Sequence, residues 1–319
     1  MRQLSRQIHE QLQHAQSVVL VVHQNPDGDA LGAACALQEH LLNLGKKSCI
    51  WSATEISPKY VFLAHALSVT SKPEIFADKD LDLIVLLDSG DLAYAGVHKL
   101  VAGQEHKIIN IDHHSTNKNY GFINLVLPTA SSASEIVYHI FKHNRLAINH
   151  RMATALLTGI VTDTDNFQNS ATSLSAFMAA SDLIRSGGNI NMINQWISKN
   201  KTVNSLRLWG VVLSRLQNLE AEKLVYTYIT LEDLATYQVT DSESDGIANF
   251  LNNLDNGGAC LILKEIEGRK VKGSFRTTSD TLDVAQWAKK LGGGGHKKAA
   301  GFTADGTIQD VLNKLLTIK

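Results

Sequence analysis

The chain has 319 residues, of which 44% are hydrophobic and 19% are charged, and its formal net charge is −1. This composition is typical of a globular protein with room for two domains, and the near-neutral charge argues against electrostatic binding of long nucleic acid. The three cysteines are far apart and form no CxxC pair, so we expect no disulfide framework.

The N-terminus, residues 1–12, has an amphipathic helical pattern without the apolar core of a signal peptide. No stretch approaches the roughly 18 to 20 uninterrupted apolar residues of a membrane span. We therefore expect a cytoplasmic protein that has no membrane partner.

Strands and helices alternate through the first part of the chain. The predicted strands are 18–22, 47–51, 83–87, 107–111 and 122–126, and the predicted helices are 30–44, 134–143, 150–161 and 174–184. Continuous apolar strands that alternate with helices predict an α/β fold with a doubly wound parallel sheet covered on both faces. Ser186-Gly187-Gly188 is typical of a helix end, so the first domain is predicted to span residues 1–188.

The start of the helix predicted near residue 134 has a capping pattern that bears on ligand binding. Ser131 to Glu135 has the pattern of a helix N-terminus, with serine caps and a glutamate in the first turn. The backbone N–H groups at such an end are also suited to hold a phosphate.

The second part of the chain predicts a helical linker and a smaller α/β domain. The linker covers residues 189–219 and the second domain residues 220–319. The predicted strands of this domain are 224–230, 259–266 and 270–276, the last two forming a hairpin, and the predicted helices are 245–254, 283–291 and 308–316. A run of four glycines, Gly292 to Gly295, precedes His296.

Carboxylates and histidines follow four strand or helix ends of the first domain. They are His23, Asp27 and Asp29, then Asp88, then Asp112, His113 and His114, and finally Asp163. Because loops at the carboxyl ends of parallel strands meet at one sheet edge, we expect these side chains to converge. Oxygen ligands mixed with imidazole suit Mn²⁺, with Mg²⁺ or Co²⁺ as alternatives, and the lack of nearby thiols argues against structural zinc. The sequence therefore predicts two metal ions that activate a hydroxide for attack on a phosphoryl group.

These residues resemble a known family in order and spacing. His23-x-x-x-Asp27-x-Asp29, the Asp88 loop, Asp112-His113-His114 and Thr162-Asp163-Thr164 resemble the four motifs of the DHH phosphoesterase superfamily, and Gly293-Gly294-Gly295-His296-x-x-Ala299-Ala300-Gly301 resembles the DHHA1 signature. The two-domain length is similar to that of the stand-alone oligoribonuclease and pAp phosphatase branch, often called nanoRNase. The resemblance implies a DHH catalytic domain and a DHHA1 substrate-binding domain.

The resemblance also implies roles for single residues. One metal would be held by His23, Asp27 and Asp88, and the other by Asp29, Asp88, His113 and Asp163, with Asp88 bridging. His114 would face the scissile phosphate as an electrostatic stabiliser or proton donor. Asp112 would orient the histidines, as a carboxylate beside a ligating imidazole often does.

In the second domain, the resemblance assigns substrate binding to Arg276, His296 and the backbone of Gly293, Gly294 and Gly295. Residues 264–298 contain nine Lys/Arg and four Asp/Glu, a local excess of five positive charges by subtraction. This patch favours a short anionic ligand over a long polymer. The expected partners are therefore short oligonucleotides or nucleotide bisphosphates, and a homodimer is left open.

One position departs from the family pattern. The family usually has glycine after Thr-Asp-Thr, where this chain has Asp165. We place this carboxylate outside the metal ligands, from where it would still affect metal affinity.

Two other functions stay open at this point. The same motifs serve hydrolysis of a cyclic dinucleotide or its linear product pApA. A nucleotide-binding sensor without catalysis would be marked by a missing metal ligand, and none is missing from the sequence. The leading prediction is thus a hydrolase that degrades short oligonucleotides (nanoRNA) to mononucleotides and converts pAp to AMP.

Overall fold

Five apolar segments of the first part of the chain form strands in this computed structural model. They are β1 (Ser17–Val22), β2 (Lys47–Trp51), β3 (Leu83–Leu87), β4 (Ile108–Asp112) and β5 (Ile123–Val126). All pair in parallel, in the order β2-β1-β3-β4-β5. Alternate residues of β1 enter two different cores, Leu20 on one face of the sheet and Val21 on the other. The predicted parallel sheet with both faces buried is confirmed.

Helices cover one face of this sheet. They are α1 (Arg2–His14), α2 (Gly28–Asn43), α3 (Ala133–His143), α4 (His150–Asp163), α5 (Leu174–Arg185) and the short α6 (Ile190–Ile193). The other face is covered by connecting segments that contribute Phe76, Val97 and Val101 to its core. Because β1 lies between β2 and β3, the chain reverses direction across the sheet at the β1/β3 junction. Ligands of doubly wound folds bind at the carboxyl ends of strands at such a junction.

The structure describes residues 1–198, 201–240, 244, 246–251, 254 and 258–317. The chain divides into two compact units, Met1–Asn200 and Lys201–Lys319. The predicted linker, residues 189–219, is divided between these units. None of the helices among the described residues is long and apolar enough to cross a lipid bilayer.

The second unit contains a six-stranded sheet of its own. Its elements are α7 (Val203–Ser214), β6 (Gln217–Leu219), β7 (Leu224–Ile229), α8 (Leu231–Tyr237), α9 (Ile247–Leu251), β8 (Ala259–Ile266), β9 (Lys270–Thr277), α10 (Val284–Lys290), β10 (Gly294–His296), β11 (Ala299–Asp305) and α11 (Ile308–Thr317). The sheet order is β10-β11-β9-β8-β7-β6, in which only β7 and β8 pair in parallel. The predicted β8–β9 hairpin is confirmed.

Four elements of the second unit, namely β6, α8, β10 and β11, differ from the sequence-based expectation. The helical pattern expected to reach residue 219 ends at Ser214, and the last three residues form β6. Part of the glycine run forms β10, and α8 and β11 were not predicted at all. Glycine has a low strand propensity, so β10 forms through its pairing with β11 rather than through its own sequence.

Close packing of α2 against α4 sets the distance between the two helices that carry Asp29 and Asp163. A Cβ atom on Gly32 would overlap the carbonyl oxygen of Ala155, and one on Gly159 would come within 2.6 Å of Asp29 Oδ1. Glycine is therefore required at both positions by the neighbouring helix.

We predict that Gly32→Ala lowers the free energy of unfolding by about 1–3 kcal/mol, because the backbone of α4 must move to admit the methyl group. Gly210→Ala is the matched control, since Gly210 lies inside α7 and a methyl group there would have no atom of a described neighbouring residue within 4 Å. The free energy of unfolding of Gly210→Ala should rise by about 0.5–1 kcal/mol. Urea denaturation of both measures the difference, and equal effects would contradict the packing account.

A buried histidine makes the stability of the fold sensitive to acid. Burial, together with the charge of neighbouring His9, lowers the pKa of His40 to about 4. The unfolded chain takes up this proton near pH 6.5 and the folded chain only near pH 4, so stability falls as the pH drops through this window. We expect His40→Leu to abolish about 2 kcal/mol of the stability lost between pH 7 and pH 5. The free energy of unfolding of wild-type and His40→Leu is measured by urea titration at each pH. If it falls equally with pH in both proteins, the prediction is refuted.

Candidate metal centre

Three neighbouring strands end at the same level of the sheet. Val22 of β1 pairs with Leu87 of β3, and Leu87 pairs with Ile111 of β4. The next residue on each strand is therefore His23, Asp88 or Asp112. Parallel pairing thus aligns three residues that are distant in the sequence in one row at the β1/β3 junction.

Asp88 lies at the centre of this row and is 3% exposed. Its Oδ2 is 3.5 Å from Nε2 of His23, and its Oδ1 is 3.4 Å from Nε2 of His113. Oδ1 is buried and accepts no hydrogen bond from the described residues. A buried carboxylate oxygen without a donor is costly, and a cation at this point would remove that cost.

The predicted ligand atoms fall into three overlapping groups whose members lie within 4.8 Å of one another. The groups are His23, Asp27 and Asp88; Asp29, His113 and Asp163; and Asp88, His113 and His114. All six residues predicted to bind metal are thus brought together, and so is His114. Asp88 and His113 each belong to two groups.

Two of the carboxylates owe their positions to helix ends. Asp27 caps α2, because its Oδ1 accepts the N–H groups of Asp29 and Ala30 at 2.9 and 3.1 Å. Asp29 follows inside the first turn and is fully buried. Its oxygens accept the N–H groups of Ala133 and Ser134 at the start of α3, at 2.6 and 2.8 Å.

This last contact corrects one expectation from the sequence. The N–H groups at the start of α3 are not free to hold a phosphate, because the carboxylate of Asp29 binds them. The serine cap itself is confirmed, since Ser132 Oγ accepts the N–H of Glu135.

The charges of the cluster show how strongly it attracts a cation. Burial alone would lower the pKa of His23, but the carboxylates of Asp27 and Asp88, 3.8 and 3.5 Å from its Nε2, raise it to about 11. In the same way, Asp88 and its neighbours overcome burial and raise the pKa of His113 to about 10. Burial and the nearby carboxylates raise the pKa of Asp163 to about 7. All three shifts reflect a concentration of negative charge, which also favours the binding of a cation.

The donor set fits divalent cations. It combines carboxylate oxygens with imidazole nitrogens, and none of the three cysteines belongs to it. His23 Nδ1 lies 2.8 Å from the carbonyl oxygen of Gln24 and so carries a proton, which leaves Nε2 as the nitrogen that faces Asp27 and Asp88 and that could bind a metal. The residues present are therefore suited to hold the predicted ions.

Asp112 lies beside the cluster rather than in it. It is fully buried, and its Oδ1 accepts both the backbone N–H of His113 and Nδ1–H of His114, each at 2.8 Å. Although burial opposes ionisation, hydrogen bonds from His114 and Asn117 hold the pKa of Asp112 below its usual value. This is the geometry expected of a carboxylate that orients the histidines.

In the second unit, the predicted substrate residues lie on three adjacent strands. Arg276 of β9 pairs with Ala299 of β11, and Ala299 pairs with His296 of β10. Arg276 and His296 therefore occupy the same rung of the sheet. Burial lowers the pKa of the Arg276 guanidinium, whose Nη1 donates to the Phe275 carbonyl at 2.9 Å.

The glycines of this unit differ in whether the surrounding structure leaves room for a side chain. A Cβ on Gly293 would overlap the carbonyl oxygen of Gly301, and one on Gly295 would lie 2.6 Å from the carbonyl oxygen of Ala299. Strand packing therefore requires glycine at these two positions. Gly294 borders open space among the described residues.

Sequence reasoning missed two asparagines that support the site. Asn110 lies in the middle of β4 and is fully buried, and Asn117 follows His114 by three positions. The available signal was a single amide in the otherwise apolar stretch before Asp112.

Asp165, the departure from the family pattern, has a left-handed backbone with φ 48°. Asn166 and Phe167 follow with φ 57° and 63°. Glycine adopts this conformation without strain, and aspartate tolerates it better than most residues. The backbone thus explains why glycine suits this position and why aspartate is accepted.

Comparisons with known proteins agree with these features. A model of the DHH family N-terminal domain matches residues 17–160, and a model of the DHHA1 domain matches residues 221–318. The bifunctional oligoribonuclease and PAP phosphatase NrnA of Thermus thermophilus is 29% identical over 299 residues, which are 92% of this chain and 86% of that protein. The protein of the same name from Bacillus subtilis is 25% identical over 89% of this chain and 88% of its own length.

A solved structure is also similar in fold. The crystal structure of an exopolyphosphatase-related protein from Bacteroides fragilis has a TM-score of 0.91 and 23% identity, and the match covers 99% of this chain and 95% of that one. At this identity the likeness concerns the fold alone.

We predict that Asp165→Gly raises the free energy of unfolding by up to about 1 kcal/mol, because it removes the strain of the left-handed backbone. Asp165→Ala should lower it, since alanine tolerates this φ less well than aspartate. Thermal unfolding of the three proteins gives the order, and a glycine variant less stable than the alanine variant would contradict it.

Proposed function

The chain belongs to the DHH/DHHA1 phosphoesterase family, and from that membership we propose that it hydrolyses short 5′-phosphorylated oligonucleotides to mononucleotides and converts pAp to AMP. Relatives named for these two activities are similar over most of both chain lengths. The observation that carries the proposal is the carboxylate of Asp88, which belongs to two groups of candidate ligands at the β1/β3 junction.

We propose Mn²⁺ as the preferred ion at both positions, with Mg²⁺ or Co²⁺ as substitutes, because carboxylates mixed with imidazoles suit Mn²⁺. His23, Asp27 and Asp88 would hold one ion, and Asp29, Asp88, His113 and Asp163 the other. Bound ions would neutralise the phosphate charge and promote deprotonation of the attacking water.

The reaction adds water across one P–O ester bond. The water oxygen bonds to phosphorus, and the departing oxygen must receive a proton. His114 is the proposed donor, since its hydrogen bond to Asp112 raises the pKa of the imidazole and favours its protonated form. Asp112 keeps the proton on Nδ1, so that Nε2–H is the group that is transferred or that stabilises the phosphate charge.

The second unit is the proposed substrate-binding part. Arg276 and His296 share one rung of its sheet, within a stretch with an excess of positive charge. Together with the backbone of Gly293, Gly294 and Gly295 they would bind a phosphate group of the substrate. A short ligand with few phosphates fits such a limited patch.

We predict that Asp88→Asn lowers kcat for pApA and pAp by at least about 100-fold with Mn²⁺ present, because the shared charge is lost. Asparagine also tolerates the left-handed backbone of this residue, φ 56°, so the fold should persist. Asp91→Asn is the matched control, because this carboxylate of the same loop pairs with Lys118 and belongs to none of the ligand groups found among the described residues.

The assay compares pApA, pAp and cyclic di-AMP with each protein. We expect wild-type and Asp91→Asn to cleave the two linear substrates and to cleave the cyclic one more slowly. Faster cleavage of cyclic di-AMP would favour the cyclic-dinucleotide alternative. Absence of bound Mn²⁺ and Mg²⁺ in equilibrium titrations would favour the sensor.

A further inference from the structure

Three amide side chains, of which Asn110 is buried, form a network next to the candidate metal centre. Asn110 lies on the face of β4 that contributes Ile108 to a core, and it is fully buried. Its Nδ2 donates to Oδ1 of Asn117 at 2.8 Å and to Oδ1 of Asn124 at 3.0 Å. A buried amide without hydrogen-bond partners is costly, and this cost keeps Asn110 bonded to Asn117 and Asn124.

The orientation of the Asn117 side chain is fixed by its neighbours. Its Oδ1 accepts the backbone N–H of Asn119 at 2.7 Å, and a backbone N–H can only donate. Its Nδ2 therefore points the other way, toward Oδ2 of Asp112 and the carbonyl oxygen of Ser89. Both of these atoms are acceptors only, so a flipped amide would lose every one of these bonds.

Asn117 thus contacts two ligand-bearing loops with one NH₂ group. Ser89 directly follows Asp88, whose left-handed backbone places the central carboxylate. Asp112 holds Nδ1–H of His114 through its other oxygen. The loops after β3 and β4 are joined by this side chain.

We propose that Asn117 is a positioning residue, which fixes Asp112 and thereby His114 and holds the Asp88 loop in register with them. Its effect on hydrolysis rests on the proposed function, whereas its effect on the orientation of His114 does not. Loss of its two N–H bonds leaves Asp112 Oδ2 buried without this donor, so the carboxylate is expected to shift and release the imidazole.

The test uses Asn117→Asp, which keeps the side-chain shape but turns both N–H donors into a carboxylate facing Asp112. Asn119→Asp is the matched control, because it adds the same charge two residues away and keeps the backbone N–H that Asn117 requires. Asn117→Ala provides a second test if the aspartate variant does not fold. Thermal unfolding identifies the variants that fold.

Two readouts are measured on each folded variant. One is the Nδ1–H resonance of His114 in ¹H–¹⁵N spectra of the full chain with Mg²⁺, assigned with His114→Asn. The other is kcat and KM for pApA with Mn²⁺. We expect the Asn117 variants to lose the resonance and at least about ten-fold in kcat, with KM changed less than two-fold, and Asn119→Asp to keep all three.

A resonance that persists in the folded Asn117 variants, or a kcat equal to that of Asn119→Asp, would overturn the proposal. If wild-type cleaves neither pApA nor pAp, the proposed function fails. The resonance then decides alone whether Asn117 positions His114.

Discussion

Mutual repulsion of buried carboxylates is the constraint on which the rest of this structure depends. Asp29, Asp88 and Asp112 are each no more than 3% exposed, and all lie near the same sheet edge. Each must find positive charge or N–H donors, since a buried unpaired charge is costly. Asp29 uses the start of α3 and Asp112 uses His113, His114 and Asn117. Asp88 is the one of the three that has an oxygen without a donor among the described residues.

The carboxylates that accept N–H donors and the one that keeps an oxygen without a donor have different roles in the site. Asp112 is satisfied by the protein itself, so it serves as a fixed support for His114. Asp88 keeps one oxygen without a donor among the described residues, and its carboxylate lies 3.5 Å from His23 and 3.4 Å from His113. This is where we propose that a cation binds. The parallel register of β1, β3 and β4 creates this difference, because it aligns His23, Asp88 and Asp112 in one row. Close packing of α2 on α4 at Gly159 then brings Asp29 and Asp163 to the same point.

Much of the first unit was predictable from sequence for a physical reason. Strands buried on both faces appear as continuous apolar runs, and the residue after each run must lie at the carboxyl edge. His23 and Asp88 were found in this way. Asn117 was not, because its importance lies in contacts with Asp112 and Ser89 that no periodicity encodes. The contact of Asp29 with α3 was missed for the same reason, although each partner was noted separately.

The second unit was less predictable. Its strand β10 has only three residues, two of them glycine, and it forms through pairing with β11. In the first unit, we propose that the carboxylate of Asp88 is shared by two divalent cations. Anomalous diffraction from crystals of the full chain grown with Mn²⁺ tests it most directly. We predict two manganese peaks, both in contact with the carboxylate of Asp88, and a map with no peak at Asp88 would contradict the proposal.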